Sequence, residues 1–168
     1  ELRQFFQDRL RVMLRDAGYT TLEVDAVLAL NPEKLDELPK RLAAVRAFMA
    51  LPEAEALTAA NKRIGNILKK IEGEVPTVVN EALLAEDAEK QLFAAINDVE
   101  PKALQHFAAG EYEQMLATLA VLRGPVDSFF DNVMVNAEDP ALRATRQALL
   151  KRLYDVMNKV AEIARLAK

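Results

Sequence analysis

His106 and Ser128 are the only histidine and the only serine in the chain, and cysteine is absent. A lone imidazole rules out HExxH sites, facial triads and any two-histidine acid–base pair, and without thiolates there is no Cys-based zinc site. No Gly-x-Ser-x-Gly elbow surrounds Ser128, and Asp127 is its chain neighbour, too close to serve as a triad partner. The five glycines write neither a P-loop nor a dinucleotide-binding fingerprint. Catalysis by this chain alone is therefore not expected, nor is a cofactor. His106, next to Phe107, reads as an ordinary, partly buried histidine.

The remaining chemistry lies in the cations. The chain is acidic, with 22 Lys plus Arg against 26 Asp plus Glu and a formal charge of −4. Its charge is nonetheless segregated. Residues 57–71 hold Lys62, Arg63, Lys69 and Lys70 and no carboxylate, for a net +4, and residues 139–168 are also net +4. Residues 72–138 are net −10 and residues 1–56 net −2. Two basic segments in an acidic body suggest an anionic partner held on one face, with the acidic remainder limiting non-specific binding. Ordinary solvation of a charged helix face is the competing explanation.

Apolar residues recur at spacings of three and four nearly throughout, and no alternating run bounded by turns suggests a strand. An all-α bundle of about eight helices follows. Helices are expected over about 2–17, with Phe5, Phe6, Leu10, Met13 and Leu14 inward and a stop at Gly18, and over about 21–30. A helix capped by Asn31, with Pro32 at its first position, should break at Pro39 and resume to about 51. Further helices are expected over about 53–71, 78–97, 101–109 and 111–122, then one from Gly124–Pro125, and a last from Asp139–Pro140 to the C-terminus. Residues 1–56 form an N-terminal helical segment before a bundle of 57–168. No apolar run approaches the ~20 residues that cross a bilayer. The absence of cysteine suits a cytoplasmic protein, and a start at Glu1 without Met fits a piece of a longer chain.

On a helical wheel, Leu57, Ala60, Ile64, Ile67, Leu68 and Ile71 form one stripe of the 53–71 helix, and Lys62, Arg63, Asn66, Lys69 and Lys70 lie opposite. Asn61 and Gly65 sit on the shoulder, where glycine permits close backbone approach. In the last helix a seam of Leu142, Leu149, Leu153, Val156, Val160, Ile163 and Ala167 is interrupted by Arg146. An arginine there either pairs with a carboxylate of 72–138 or meets a phosphate or base, because burying it alone is costly. Phe129 and Phe130 share a face with Val126, Val133 and Met134 and read as core. Tyr112 and Tyr154 are the aromatics expected nearer the surface.

"EDPALRATRQALLKRLYDVMNKVAEIARL" resembles the end of a DALR-type anticodon-binding domain. The Asp-Ala-Leu-Arg signature appears as Asp139-Pro140-Ala141-Leu142-Arg143, with one residue inserted. "PVDSFFDNVMVNAEDPALRATRQALL" is similar to the C-terminal region of the β subunits of bacterial heterotetrameric glycyl-tRNA synthetases. "AANKRIGNIL" and "FFQDRLRVMLRDAGYTTLEVDAVLAL" resemble the opening helix of that domain and the segment before it. The likeness covers essentially the whole chain and is looser through 72–122.

The resemblance implies an all-α module that engages the anticodon stem-loop of glycine tRNA. It implies that the rest of the β subunit, and a separate catalytic α subunit in an α2β2 assembly, are its partners. ATP and glycine would be handled by that α subunit, and no membrane is involved. Lys62, Arg63, Lys69, Lys70, Lys151 and Arg152 are the expected phosphate contacts. Glycine anticodons end in two cytosines, whose N4 amino group needs an acceptor and whose O2 or N3 needs a donor. Asn61, Asn66, Asn132, Arg143 and Arg146 could supply these. The alternative is a non-catalytic protein-interaction module docked through the acidic 72–138 stretch.

Overall fold

The computed structural model describes residues 2–30 and 34–167; the expected Asn31 cap and Pro32 lie outside them. Among the described residues are eight α-helices and no strand: α1 (Leu2–Asp16), α2 (Thr21–Leu28), α3 (Leu38–Met49), α4 (Ala54–Lys69), α5 (Asp87–Ala108), α6 (Tyr112–Leu119), α7 (Arg123–Asn132) and α8 (Pro140–Met157). Local chemistry accounts for several boundaries. Thr20 caps α2 in a reciprocal box with Glu23, Asp139 caps α8 ahead of Pro140, and Glu86 and Glu89 form a box at the start of α5. Gly18 ends α1 at φ +103°, a conformation that strains residues with a Cβ. Pro39 falls in the first turn of α3, just after a 3₁₀ turn at Leu35–Glu37, so the chain breaks there as expected.

α5 packs against α6, α7 and α8, while α4 packs against α7, α8 and the C-terminal tail. Leu57 and Ile64 of α4, Leu92 and Ile96 of α5, Phe129 of α7, and Leu149 and Leu153 of α8 are fully buried at the centre. Val24, Val27, Leu42 and Val45 belong to the same apolar cluster, so the core does not divide at residue 57.

Several expectations fail for physical reasons. Tyr112, expected nearer the surface, is buried with its ring 5.5 Å from that of Phe107. Phe5, Phe6 and Met13 are exposed, and only Leu10 and Leu14 pack on the core. The eight-residue α2 spans roughly 12 Å and can cover only about half of α1, which is roughly 22 Å long. The 78–97 and 101–109 pieces are replaced by the continuous α5, which starts at Asp87 and runs through Pro101. Buried Ile96, Val99 and Ala103 on both sides of the proline hold that helix together against the lost hydrogen bond. The last helix stops at Met157. Asn158 turns the chain by accepting the Ile163 N–H through Oδ1 at 2.9 Å, and Glu162 N–H donates to the Ala26 carbonyl at 2.8 Å. Arg41 Nη1 donates to the carbonyls of Lys159 and Val160, both at 2.8 Å. Val160 and Ile163 are buried, but as parts of this folded-back tail.

Candidate nucleic-acid interface

The wheel's division of α4 is the one the fold uses. Leu57, Ala60 and Ile64 are buried, while Lys62, Arg63, Asn66, Lys69 and Lys70 are exposed along one stripe. Among the described residues no carboxylate pairs with any of these four cations. Elsewhere Lys102 pairs with Asp98 and Arg123 with Asp127, while among the described residues Arg3, Arg15, Lys40 and Lys90 are also exposed without a carboxylate partner; what sets α4 apart is that its four unpaired cations share one stripe. Lys62, Arg63, Asn66 and Lys70 line a shallow open groove with Ala59, Ile67 and Ala167. A strip of unneutralised charge beside a groove is what a polyanion backbone needs, because each phosphate met releases counterions.

Arg63 differs from the lysines. Its guanidinium carbon stands 4.3 Å from the centroid of the Phe130 ring on α7. Phe130 is half-buried, and its ring meets the fully buried Phe129 edge-on, with centroids 5.6 Å apart and planes at 79°. Phe129 is therefore core as expected, while Phe130 is a shelf at the edge of the core. Sequence reasoning missed this stack, since nothing along the chain says that α4 and α7 touch at these two positions.

The basic residues of α8 are engaged within the molecule. Lys151 Nζ lies 2.6 Å from Asp155 Oδ1. Arg152 grips the Glu100 carboxylate through Nε and Nη2 at 3.0–3.2 Å and donates Nη1 to Asn97 Oδ1 at 2.7 Å. This ties α8 to α5 and leaves both side chains only partly exposed.

Two candidate base contacts are enclosed. Asn61 is 0 % exposed, with Nδ2 3.8 Å from Met157 Sδ, so the shoulder it occupies is covered by α8. Arg146 is 6 % exposed and meets the fully buried Glu89, with Nη2 at 2.8 Å from Oε1 and Nε at 3.1 Å from Oε2. Its Nη1 donates to the Met134 carbonyl. Of the two readings of this arginine, the carboxylate partner from 72–138 is the one observed. Neither residue can reach a base without the core opening.

Asn66, Asn132 and Arg143 remain accessible. Asn66 is exposed in the α4 stripe, Asn132 is exposed and donates Nδ2 to the Ser128 carbonyl at 2.9 Å, and half-buried Arg143 donates Nη1 to the Ala137 carbonyl at 3.1 Å. Gly65 makes room for a side chain rather than for the backbone expected there: a Cβ would sit 3.3 Å from the Tyr154 ring, so the glycine lets that ring of α8 lie close on α4. Burial, followed by the charge of Glu162, raises the Tyr154 phenol above its usual range. His106 Nδ1 lies 3.1 Å from Glu111 Oε1, a local pairing at the end of α5.

Residues 57–164 match the family model of the DALR anticodon binding domain. The chain is 65% identical over 163 residues to the glycine–tRNA ligase beta subunit of Leptothrix cholodnii, covering 97% of this chain and 23% of that protein. It is 58% identical over 167 residues to the beta subunit of Delftia acidovorans, covering 99% and 24%. With the subunit of Methylobacillus flagellatus it shares 57% over 164 residues, covering 98% and 23%. The chain thus spans about a quarter of the length of these curated relatives. Among its described residues no helix is long and apolar enough to cross a membrane. From the matched domain and its all-α architecture, this chain belongs to the DALR anticodon-binding domain family.

Proposed function

We propose that the chain is the tRNA-binding module of a glycine–tRNA ligase β subunit and holds the anticodon stem-loop of glycine tRNA in the cytoplasm. The observation that carries this is the α4 face, where Lys62, Arg63, Lys69 and Lys70 stand exposed with no carboxylate partner among the described residues. Lysines there meet phosphates as point charges, which fixes the register of the loop and confers salt dependence without reading sequence. Asn66, Asn132 and Arg143 keep polar groups accessible at that surface or on α7 and α8, and supply the donors and acceptors that cytosine edges require. Lys151 and Arg152, held by Asp155 and Glu100, serve first to brace α8. Aminoacylation itself, with ATP and glycine, belongs in this reading to a separate catalytic α subunit in an α2β2 assembly.

The test is titration of the chain with a glycine-tRNA anticodon stem-loop and with one whose two cytosines are replaced. Tighter binding to the first supports base readout by this module. Equal, weak binding to both removes it.

A second reading, docking of another part of the protein, draws on one observation: Leu2, Phe5, Phe6 and Met13 of α1 are exposed. The two roles use different faces and are compatible.

A further inference from the structure

Arg63 lies over a ring yet has no hydrogen-bond acceptor among the described residues. Its guanidinium lies over the Phe130 ring, which Phe129 supports from within the core, and among the described residues no acceptor or carboxylate takes its N–H groups. Most arginines stacked on rings in this molecule are also tied down by oxygen. Arg46 lies over Tyr19 and binds Glu23, Arg41 lies over Tyr112 and binds two carbonyls, and Arg152 lies over Phe93 and binds Glu100. Each is anchored by oxygen as well as by its ring, although Arg41 Nε is left without a partner. Arg63 is exposed, sits nearer its ring than the other arginines at 4.3 Å, and has its N–H groups untaken among the described residues.

A delocalised planar cation with one face on a ring favours a second π-system on the other, and every nucleobase has such a face. The neighbouring Lys62, Asn66 and Lys70 supply charge and polarity around the same groove. Resting on the proposed RNA-binding role, we infer that the Arg63–Phe130 stack is a landing platform for one unpaired nucleobase of the anticodon loop. The base lies on the outer guanidinium face while the in-plane N–H groups bind a phosphate oxygen or a base acceptor. Lysine cannot replace arginine here, because an ammonium has no plane to stack.

The experiment uses the full 168-residue chain, its Arg63→Lys and Phe130→Leu variants, and two RNAs: an anticodon stem-loop and the same stem-loop with abasic anticodon nucleotides. Wild type should bind the abasic loop at least about tenfold more weakly, the scale of one lost base stack. Both variants should bind the intact loop about tenfold more weakly, and the abasic change should cost them about tenfold less than it costs wild type, at an unchanged salt slope. Arg63→Lys keeps the charge on an exposed site, so it stays interpretable even if Phe130→Leu loosens α7. Wild-type binding that depends on salt but is indifferent to the abasic change overturns the platform alone. So do variants that lose equally against both RNAs. Wild-type binding without salt dependence overturns the platform together with the phosphate role of α4.

Discussion

Replacing Arg146 by Met should unfold the bundle several degrees earlier without touching its outer surface. Glu89 is 0 % exposed and accepts from Arg146 at 2.8 and 3.1 Å and from the Glu86 backbone N–H at 3.1 Å. Met keeps much of the side-chain volume but removes both guanidinium donors, leaving a buried carboxylate with a single hydrogen bond. Breaking a buried pair in this way costs about 3–5 kcal/mol. For a domain of this length each kcal/mol moves the midpoint by ~2–4 °C, so Tm should fall by about 6–20 °C. That is a large part of a total stability of about 5–15 kcal/mol. Thermal unfolding followed by circular dichroism measures it. Adding Glu89→Leu should recover at least about 2 kcal/mol, because much of the cost is the orphaned charge; the lost N-cap acceptor and the unpaired Met134 carbonyl limit the recovery. A midpoint within ~2 °C of wild type for Arg146→Met would refute this reasoning. So would single-variant effects that simply add in the double variant. RNA affinity lost at unchanged stability would instead make Arg146 a ligand contact.

Other outcomes follow from the same geometry. Lys69→Glu with Lys70→Glu should leave helicity intact and weaken stem-loop binding, since both side chains are exposed without partners; unchanged affinity in a titration would return this face to ordinary solvation. Gly65→Ala should be nearly neutral in chemical denaturation, because the helix-propensity gain of about 1 kcal/mol offsets a 3.3 Å approach to a half-buried ring. Gly65→Val adds two methyls against Tyr154 and should cost about 1–3 kcal/mol. At Glu23, burial pushes the carboxyl up, but hydrogen bonds from Arg46 and Thr20 outweigh it and hold the group below its usual range. Its contribution is therefore complete above the ordinary Glu value of about 4.3 and is lost as pH falls through the lower folded value. Acid unfolding of Glu23→Gln should show a shallower pH dependence in that window than wild type.

Helical periodicity made α4 readable because a single stripe of Leu, Ala and Ile faces one continuous core while the lysines have nowhere else to go. The same logic misplaced Asn61, because its burial depends on Met157 arriving from α8, a contact that no local pattern encodes. Arg146 could be recognised as anomalous on an apolar seam, but its choice of Glu89 over a ligand is tertiary. The end of α8 was hidden for a similar reason. The seam runs on through Val160 and Ile163, and only the Asn158 turn and the Ala26 and Arg41 contacts show that those residues are buried by a tail. Pro101 misled in the other direction, since long-range packing of α5 outweighs one missing backbone donor. α1 shows the limit of amphipathicity itself: its apolar residues are arranged for burial, yet α2 is too short to cover them all.

Phosphate binding by the α4 face is tested most directly by the slope of log K against log salt. Four contacts from Lys62, Arg63, Lys69 and Lys70 predict a slope of about −3 for the stem-loop, falling to about −1 when the three lysines become glutamine. A slope near zero, or one that the lysine substitutions leave unchanged, would contradict the account.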